Sequence, residues 1–290
     1  MITRRKLLMA APALILPRSA KAWTHGAVPA NNGLIINLVP TAAFLAAPSA
    51  FQSAVQTAAN LHMAQWVNTP ITVNIQVGYD EFGASGGTSF ENPTFGQTVS
   101  YGTVRSKVQA IATASGNATM VSAFGALPNT VSLGGIQFFS LNRSALKLYG
   151  ISPDFASNPV TARDNVIDSQ IGFGSATPLG NLVGTALYEI NHAMGRDTNY
   201  AFYLTHFTAA ATWQVGAHTL GSYFSVDGGT NNLCYYDNLF DFTGFANNDA
   251  GSAPGAPTLP NDAFCWKYNG STTQSLSAID IQALNCVGYW

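Results

Sequence analysis

Glutamate is scarce in this 290-residue chain: Glu81, Glu91 and Glu189 are the full set, against five histidines. One of them, Glu189, stands three residues before a histidine, in the run Thr185-Ala186-Leu187-Tyr188-Glu189-Ile190-Asn191-His192-Ala193-Met194-Gly195-Arg196. With so few glutamates, chance would supply roughly 0.05 such Glu-x-x-His spacings. On a helix, residues three and four apart are neighbours, so a carboxylate and an imidazole at 189 and 192 lie near one side. A hydrophobic helix thus carries a carboxylate and an imidazole near one side, the residue types that serve acid–base and metal chemistry. Tyr188 is one helical turn before His192 and sits about 100° around from Glu189. The plainer alternative is a helix-surface side-chain pair contributing a few tenths of a kcal/mol.

The elements that must position these groups follow from periodicity. Val183, Ala186/Leu187, Ile190 and Ala193/Met194 form an apolar stripe, so 182–194 is expected to be a helix with its stripe in the core. Gly195 ends it, as a residue free to take positive φ. Upstream, residues 34–39 read as a buried strand. Ser49 is a plausible N-cap for a helix to about Val67, with Phe51, Val55, Ala58, Ala59, Met63 and Trp66 on one side. The alternation at 71–77 reads as a half-exposed strand. Gly83 to Ser89 lacks a following Gly-Lys-Ser/Thr, so it reads as a turn and not a phosphate cradle. A short edge strand at 99–101, a helix to Ala114, a strand at 136–141, a short helix at 144–149 and a strand at 167–173 follow. Tyr223 to Val226 is expected to enter a tight turn at Asp227-Gly228-Gly229, and Ser277 to Leu284 to close the chain as a helix. This order predicts an α+β fold, a mixed sheet backed by helices with an irregular C-terminal part.

Composition narrows the class. The chain is 47% hydrophobic and only 9% charged, enough to bury a large core. It has no apolar run long enough to cross a bilayer and no basic stripe, which argues against nucleic acid as a partner. Arg4-Arg5-Lys6 precedes an eleven-residue apolar stretch, Leu7 to Pro17, and Ala20-Lys21-Ala22 is a small-x-small cleavage site. This reads as a signal peptide at 1–22, with paired arginines of the twin-arginine type. Removing Arg4, Arg5, Lys6, Arg18 and Lys21 from the 12 basic residues leaves seven against 14 acids, a net charge of −7. The mature chain, 23–290, is expected to be one exported domain, periplasmic or extracellular. Its sheet part spans about 30–195 and its C-terminal part about 196–290. Cys234, Cys265 and Cys286 are not spaced as a zinc finger, and are expected to form one late disulfide or to be buried thiols.

The 185–196 run resembles the active-site helix of zincin metalloproteases, His-Glu-x-x-His. Glu189, His192 and Gly195 match; Tyr188 stands where the first histidine would be. A wider resemblance, to a family of exported bacterial metalloproteases, runs through 34–77, Gln170-Ile171-Gly172-Phe173, residues 193–196, Tyr223 to Gly229, Leu276 to Asp280 and Val287 to Trp290. Tyr203-Leu204-Thr205-His206-Phe207 departs from that family's pattern, and Thr198 occupies the position of a metzincin third histidine. The resemblance implies a zincin-like, twisted mixed sheet with a buried active-site helix, zinc as cofactor and a polypeptide as substrate. Glu189 would be the catalytic base, with His192, Tyr188 and His206 as metal ligands. Tyrosine binds zinc well only after losing a proton of pKa about 10, so zinc is expected to be weakly bound or absent unless other donors converge. The candidates are His206 first, then His218, Asp197 and Asp227, whose plainer roles are surface histidines and turn-forming aspartates. His62 is expected to be a partly buried packing residue and His25 exposed. Two alternatives stay open: a degenerate relative acting as a binding protein, and an unrelated exported structural or adhesive protein.

Overall fold

The structure is a computed structural model, and it describes residues 33–84, 89–93, 97–151, 167–196, 204–207, 210–213, 221–236, 263 and 275–290. The fold is mixed α+β. Strands β1 (Ile35–Pro40) and β2 (Thr72–Tyr79) pair in parallel, β2 pairs in parallel with β6 (Ser169–Phe173), and β3 (Ser89–Pro93) pairs antiparallel on the far side of β6. The sheet order is therefore β1-β2-β6-β3. Strands β4 (Gln97–Ser100) and β5 (Phe138–Leu141) make a separate antiparallel pair.

Parallel neighbours need a crossover. The β1–β2 crossover holds α1 (Ala42–Ala46) and α2 (Ser49–Gln65). Thr41 caps α1 through its side chain, accepting from the Phe44 amide at 3.1 Å. Helix α2 packs on β1 and alongside α6 (Leu182–Ala193), which in turn packs on β6 and β3. Phe51, Val55, Ala58 and Ala59 of α2 and Ala186, Leu187 and Ile190 of α6 are buried between these layers. Helices α3 (Tyr101–Ser115), α4 (Ala118–Gly125) and α5 (Arg143–Tyr149) form a second group, with α3 packed on both α4 and α5. Each starts on a Ser or Asn side-chain cap, the residue types that satisfy orphan N–H groups best. The described C-terminal part is short strands and turns: β7 (His206–Phe207), β8 (Tyr223–Phe224) and β9 (Cys234–Tyr235) form a small antiparallel sheet before α7 (Ala278–Asn285).

Three expectations change. Strand β2 is not half-exposed: Asn74 is as buried as Val73, Ile75 and Val77. Its polar side chain is accommodated because Asn37 donates to Asn74 Oδ1 across the strand pair at 2.8 Å. Ser89, expected to end the glycine-rich turn, opens strand β3, a strand not expected from the sequence. His62 is wholly buried, not partly, with its ring 5.6 Å from that of Trp66. Cys234 and Cys286 are buried, and Cys265 lies outside the described residues.

Candidate functional site

Helix α6 follows β6 after a short 3-10 turn at Leu179–Asn181. Its stripe is buried as the period requires, with Leu187, Ile190 and Met194 inside, while Val183 at the helix start is half-exposed. Tyr188, Glu189 and His192 come off the remaining side. Glu189 is only 3% exposed; Tyr188 and His192 are half-buried. The Tyr188 and His192 rings meet edge to face with centroids 4.5 Å apart, so position 188 points at the imidazole.

His192 is oriented by its own chain. Nδ1 lies 2.6 Å from the backbone oxygen of Arg196. A carbonyl oxygen only accepts, so Nδ1 carries the proton and a neutral ring keeps its lone pair on Nε2. That is the tautomer a metal-ligating histidine adopts when its second nitrogen is tied to a carbonyl. The turn that brings Arg196 back is closed at many points. Gly195 takes φ 109°, and the Arg196 amide donates to Asn191 O at 3.1 Å. Ser144 Oγ donates to Ala193 O at 2.6 Å, Asn142 Nδ2 to His192 O at 3.4 Å, and Tyr289 Oη to Met194 O at 2.8 Å. The end of α6 is thus held by the start of α5 and by the chain's last residues.

Two buried charges frame this region. The Arg196 guanidinium donates to the Asp280 carboxylate, and neither side chain is exposed. Behind Glu189, Asn191 Oδ1 faces His62 Nε2 at 3.0 Å while His62 Nδ1 faces Ala58 O at 2.8 Å. Burial pushes the His62 pKa down against the pull of Ala58, Asn191 and Asp280. The ring is therefore neutral, with its one proton on Nδ1 towards Ala58. Asn191 Nδ2 has no partner where it stands. Turning the Asn191 amide over supplies a donor to Nε2 and completes the pairing.

The other candidates have these surroundings. His206 on β7 is fully buried and stacked on Tyr236, centroids 4.0 Å apart at 6°. Asp227 holds its turn, accepting from Ser225 Oγ at 2.7 Å and the Asn231 amide at 2.9 Å. Its pKa is lowered because these bonds outweigh the opposing effect of burial. Asp197, Thr198, His218 and His25 lie outside the described residues. Among the described residues, no three His, Cys, Asp or Glu side chains gather where a metal could be held. A surface cavity of about 650 Å³ between the starts of β1 and β2 is lined by Gly33, Ile35, Val67, Asn68, Pro70, Ile71 and Thr72. None of these side chains titrates, so it offers no acid–base chemistry.

In the sequence Arg196 shows only as the end of the helix, and Asp280, Asn142, Ser144 and Asn191 do not show as supports for it. A signal existed: an arginine in an otherwise apolar run implies a buried carboxylate partner, and Ser277-x-x-Asp280 has the form of a helix-capping box. Compared with protein-family models, with curated proteins and with solved structures, the chain shows no match.

Proposed function

We propose that the chain is an exported, zincin-type metalloprotease-like protein acting on polypeptide, with Glu189 as proton acceptor and His192 as a metal ligand. The observation that carries this reading is the placement of α6. It follows the last parallel strand, packs under the antiparallel strand β3, and presents Glu189 with a tautomer-fixed His192. Among the described residues β3 pairs only with β6, and such an edge can take an extended peptide as a further strand.

The fit to zinc is partial. His192 suits one ligand position, and Tyr188, one turn earlier with its ring against the imidazole, is the candidate for a second. A third donor is not found among the described residues. When bound, zinc would supply a Lewis acid and an acidified water. The chain's own part is narrower: Glu189 takes a proton on its carboxylate inside a nearly dry environment, and Arg196 O keeps the His192 proton on Nδ1.

A second reading, a polypeptide-binding relative without hydrolysis, is favoured by one observation: Tyr188 occupies the position of the first chelating imidazole. Zinc titration of native and Tyr188→His protein, with Glu189→Ala as control, separates the two. The rings already face each other, so Tyr188→His should tighten zinc by at least about two orders of magnitude. Glu189-dependent peptide cleavage by the native chain supports the first reading; cleavage only in Tyr188→His supports the second. Equal, negligible zinc affinity in both proteins would sink the zincin reading. Export is proposed on the paired arginines and the Ala-Lys-Ala site. Sequencing of the exported protein should begin at Trp23, and finding Met1 there would refute it.

A further inference from the structure

We infer that the buried Arg196–Asp280 pair is a positioning device that sets the ring tautomer of His192, and so decides which nitrogen His192 offers a ligand. The inference rests on the reading of His192 as a ligand. Arg196 is four residues after His192 and has both backbone polar groups turned back on α6: its amide on Asn191 O and its carbonyl on His192 Nδ1. The direction of that carbonyl is what places the proton on Nδ1. An imidazole without such a partner favours the other form, with the proton on Nε2 and the lone pair turned inward.

What fixes Arg196 is its side chain. The guanidinium is buried, with Nη1 on the Asp280 carboxylate. Asp280 is itself tied to the start of its helix. Its carboxylate accepts from the Ser277 amide at 3.3 Å while its own amide donates to Ser277 Oγ at 3.0 Å, a complete capping box at the start of α7. The line from α7 to His192 therefore runs through Asp280, the guanidinium, the Arg196 backbone and Nδ1, with a direct contact at each step.

Stability alone is a weak reason for this pair. Two charges taken out of water rarely add more than well-packed apolar side chains of the same volume would. The other ties at this helix end, from Ser144, Asn142 and Tyr289, hold main-chain oxygens at 192–194. They fix the His192 backbone and leave its ring torsion open. The Tyr188 ring meets the imidazole edge to face, and the Arg196 carbonyl is the hydrogen-bond partner at Nδ1.

The test uses the full mature chain, histidine-labelled with nitrogen-15 and treated with chelator, at a pH where the ring is neutral. The His192 signal is assigned by its loss in His192→Gln. In the native protein, Nδ1–H should be the dominant tautomer. In Arg196→Met/Asp280→Leu, which keeps volume and removes both charges, the population should shift mainly to Nε2–H; Asp280→Asn should lie between. In the Tyr188→His background, the double substitution should weaken zinc about 10- to 100-fold, the usual loss when a ligand's orienting partner goes. A native His192 with its proton on Nε2 overturns the inference. So does a folded double variant with the native tautomer, and so does loss of fold in both variants, which would make the pair a folding tie only. The tautomer is read without metal, so a native chain that fails to bind zinc refutes the ligand reading and leaves the positioning result to be judged separately.

Discussion

Replacing Gly172 by alanine should damage the sheet more than any other glycine-to-alanine change in it, and the size follows from one distance. Gly172 lies in β6, opposite Gly78 of β2 and Phe90 of β3. A Cβ at 172 would sit 2.2 Å from the backbone oxygen of Glu81 and 3.2 Å from Ala84 Cβ. Ordinary contact needs about 1 Å more, and the obstacle is main chain, which cannot rotate away. The turn it would push is already tight. Asp80 and Phe82 take φ of 51° and 56°, and Glu81 O accepts from the Ala84 amide at 3.1 Å. Moving it also endangers the Thr41 hydroxyl's bond to the Glu81 carboxylate. Overpacking of this kind costs about 1–3 kcal/mol, and the lost hydrogen bond adds about 1 kcal/mol. A total near 3 kcal/mol, with an m-value of about 5 kcal/mol per M in guanidinium, lowers the unfolding midpoint by about 0.6 M.

Two companions calibrate it. At Gly78 the added Cβ meets the Phe82 ring and Glu81 Cβ at 2.8 Å; the ring can swing, so the cost should be about half as large. At Gly102 in the first turn of α3 nothing lies within 4 Å, and alanine should gain a few tenths of a kcal/mol. Guanidinium unfolding of the three variants reads the order directly. If Gly172→Ala matches Gly102→Ala within about 0.5 kcal/mol, close packing of the 80–84 turn on β6 is not what that glycine provides. Because β6 carries β3 and leads into α6, Gly172→Ala should also weaken peptide binding under the proposed reading.

His62 is held neutral by burial with its pKa below the ordinary 6.5. Its contribution is therefore present above pH 6.5 and is lost as pH falls through the lowered value, with a slope of at most about 1.4 kcal/mol per pH unit. Asp168, raised by burial in spite of Lys147 2.6 Å away, acts with the opposite sign, so the decisive measurement is the difference between native and His62→Phe. An identical pH dependence in both would refute the assignment. Tyr289→Phe removes the donor to Met194 O and should cost about 1–2 kcal/mol in denaturant unfolding, since a buried carbonyl loses a hydrogen-bond donor; no loss would show that Tyr289 is not a tie for α6.

The elements around α6 were legible because each is driven by a local pattern. The strand at 35–40, the helices at 49–65, 101–115 and 182–193 and the closing helix at 278–285 carry their own apolar period, so the chain announces them before any partner is known; Ser49, expected as an N-cap, is instead the first helical residue, and Pro48 before it offers no capping side chain. Strand β3 was not legible, since Ser89–Pro93 has no clear alternation and exists as a strand through its pairing with β6. The burial of Asn74 was hidden for the same reason: a polar residue in an alternating strand reads as outward unless the sheet has layers on both faces and a neighbour such as Asn37 to satisfy it. At the candidate site the same division holds. Glu189 and His192 are visible as a spacing within one helix. The proton on His192 Nδ1 is set by a carbonyl four residues on, whose direction depends on a carboxylate 84 residues away. No periodicity links 196 to 280. What the sequence offers instead is scarcity: in a chain with so few charges, a lone arginine beside an apolar helix must be neutralised, and the capped acid of the last helix is one of few groups placed to do it. Spacing displays the chemistry, while orientation depends on where the rare charges meet.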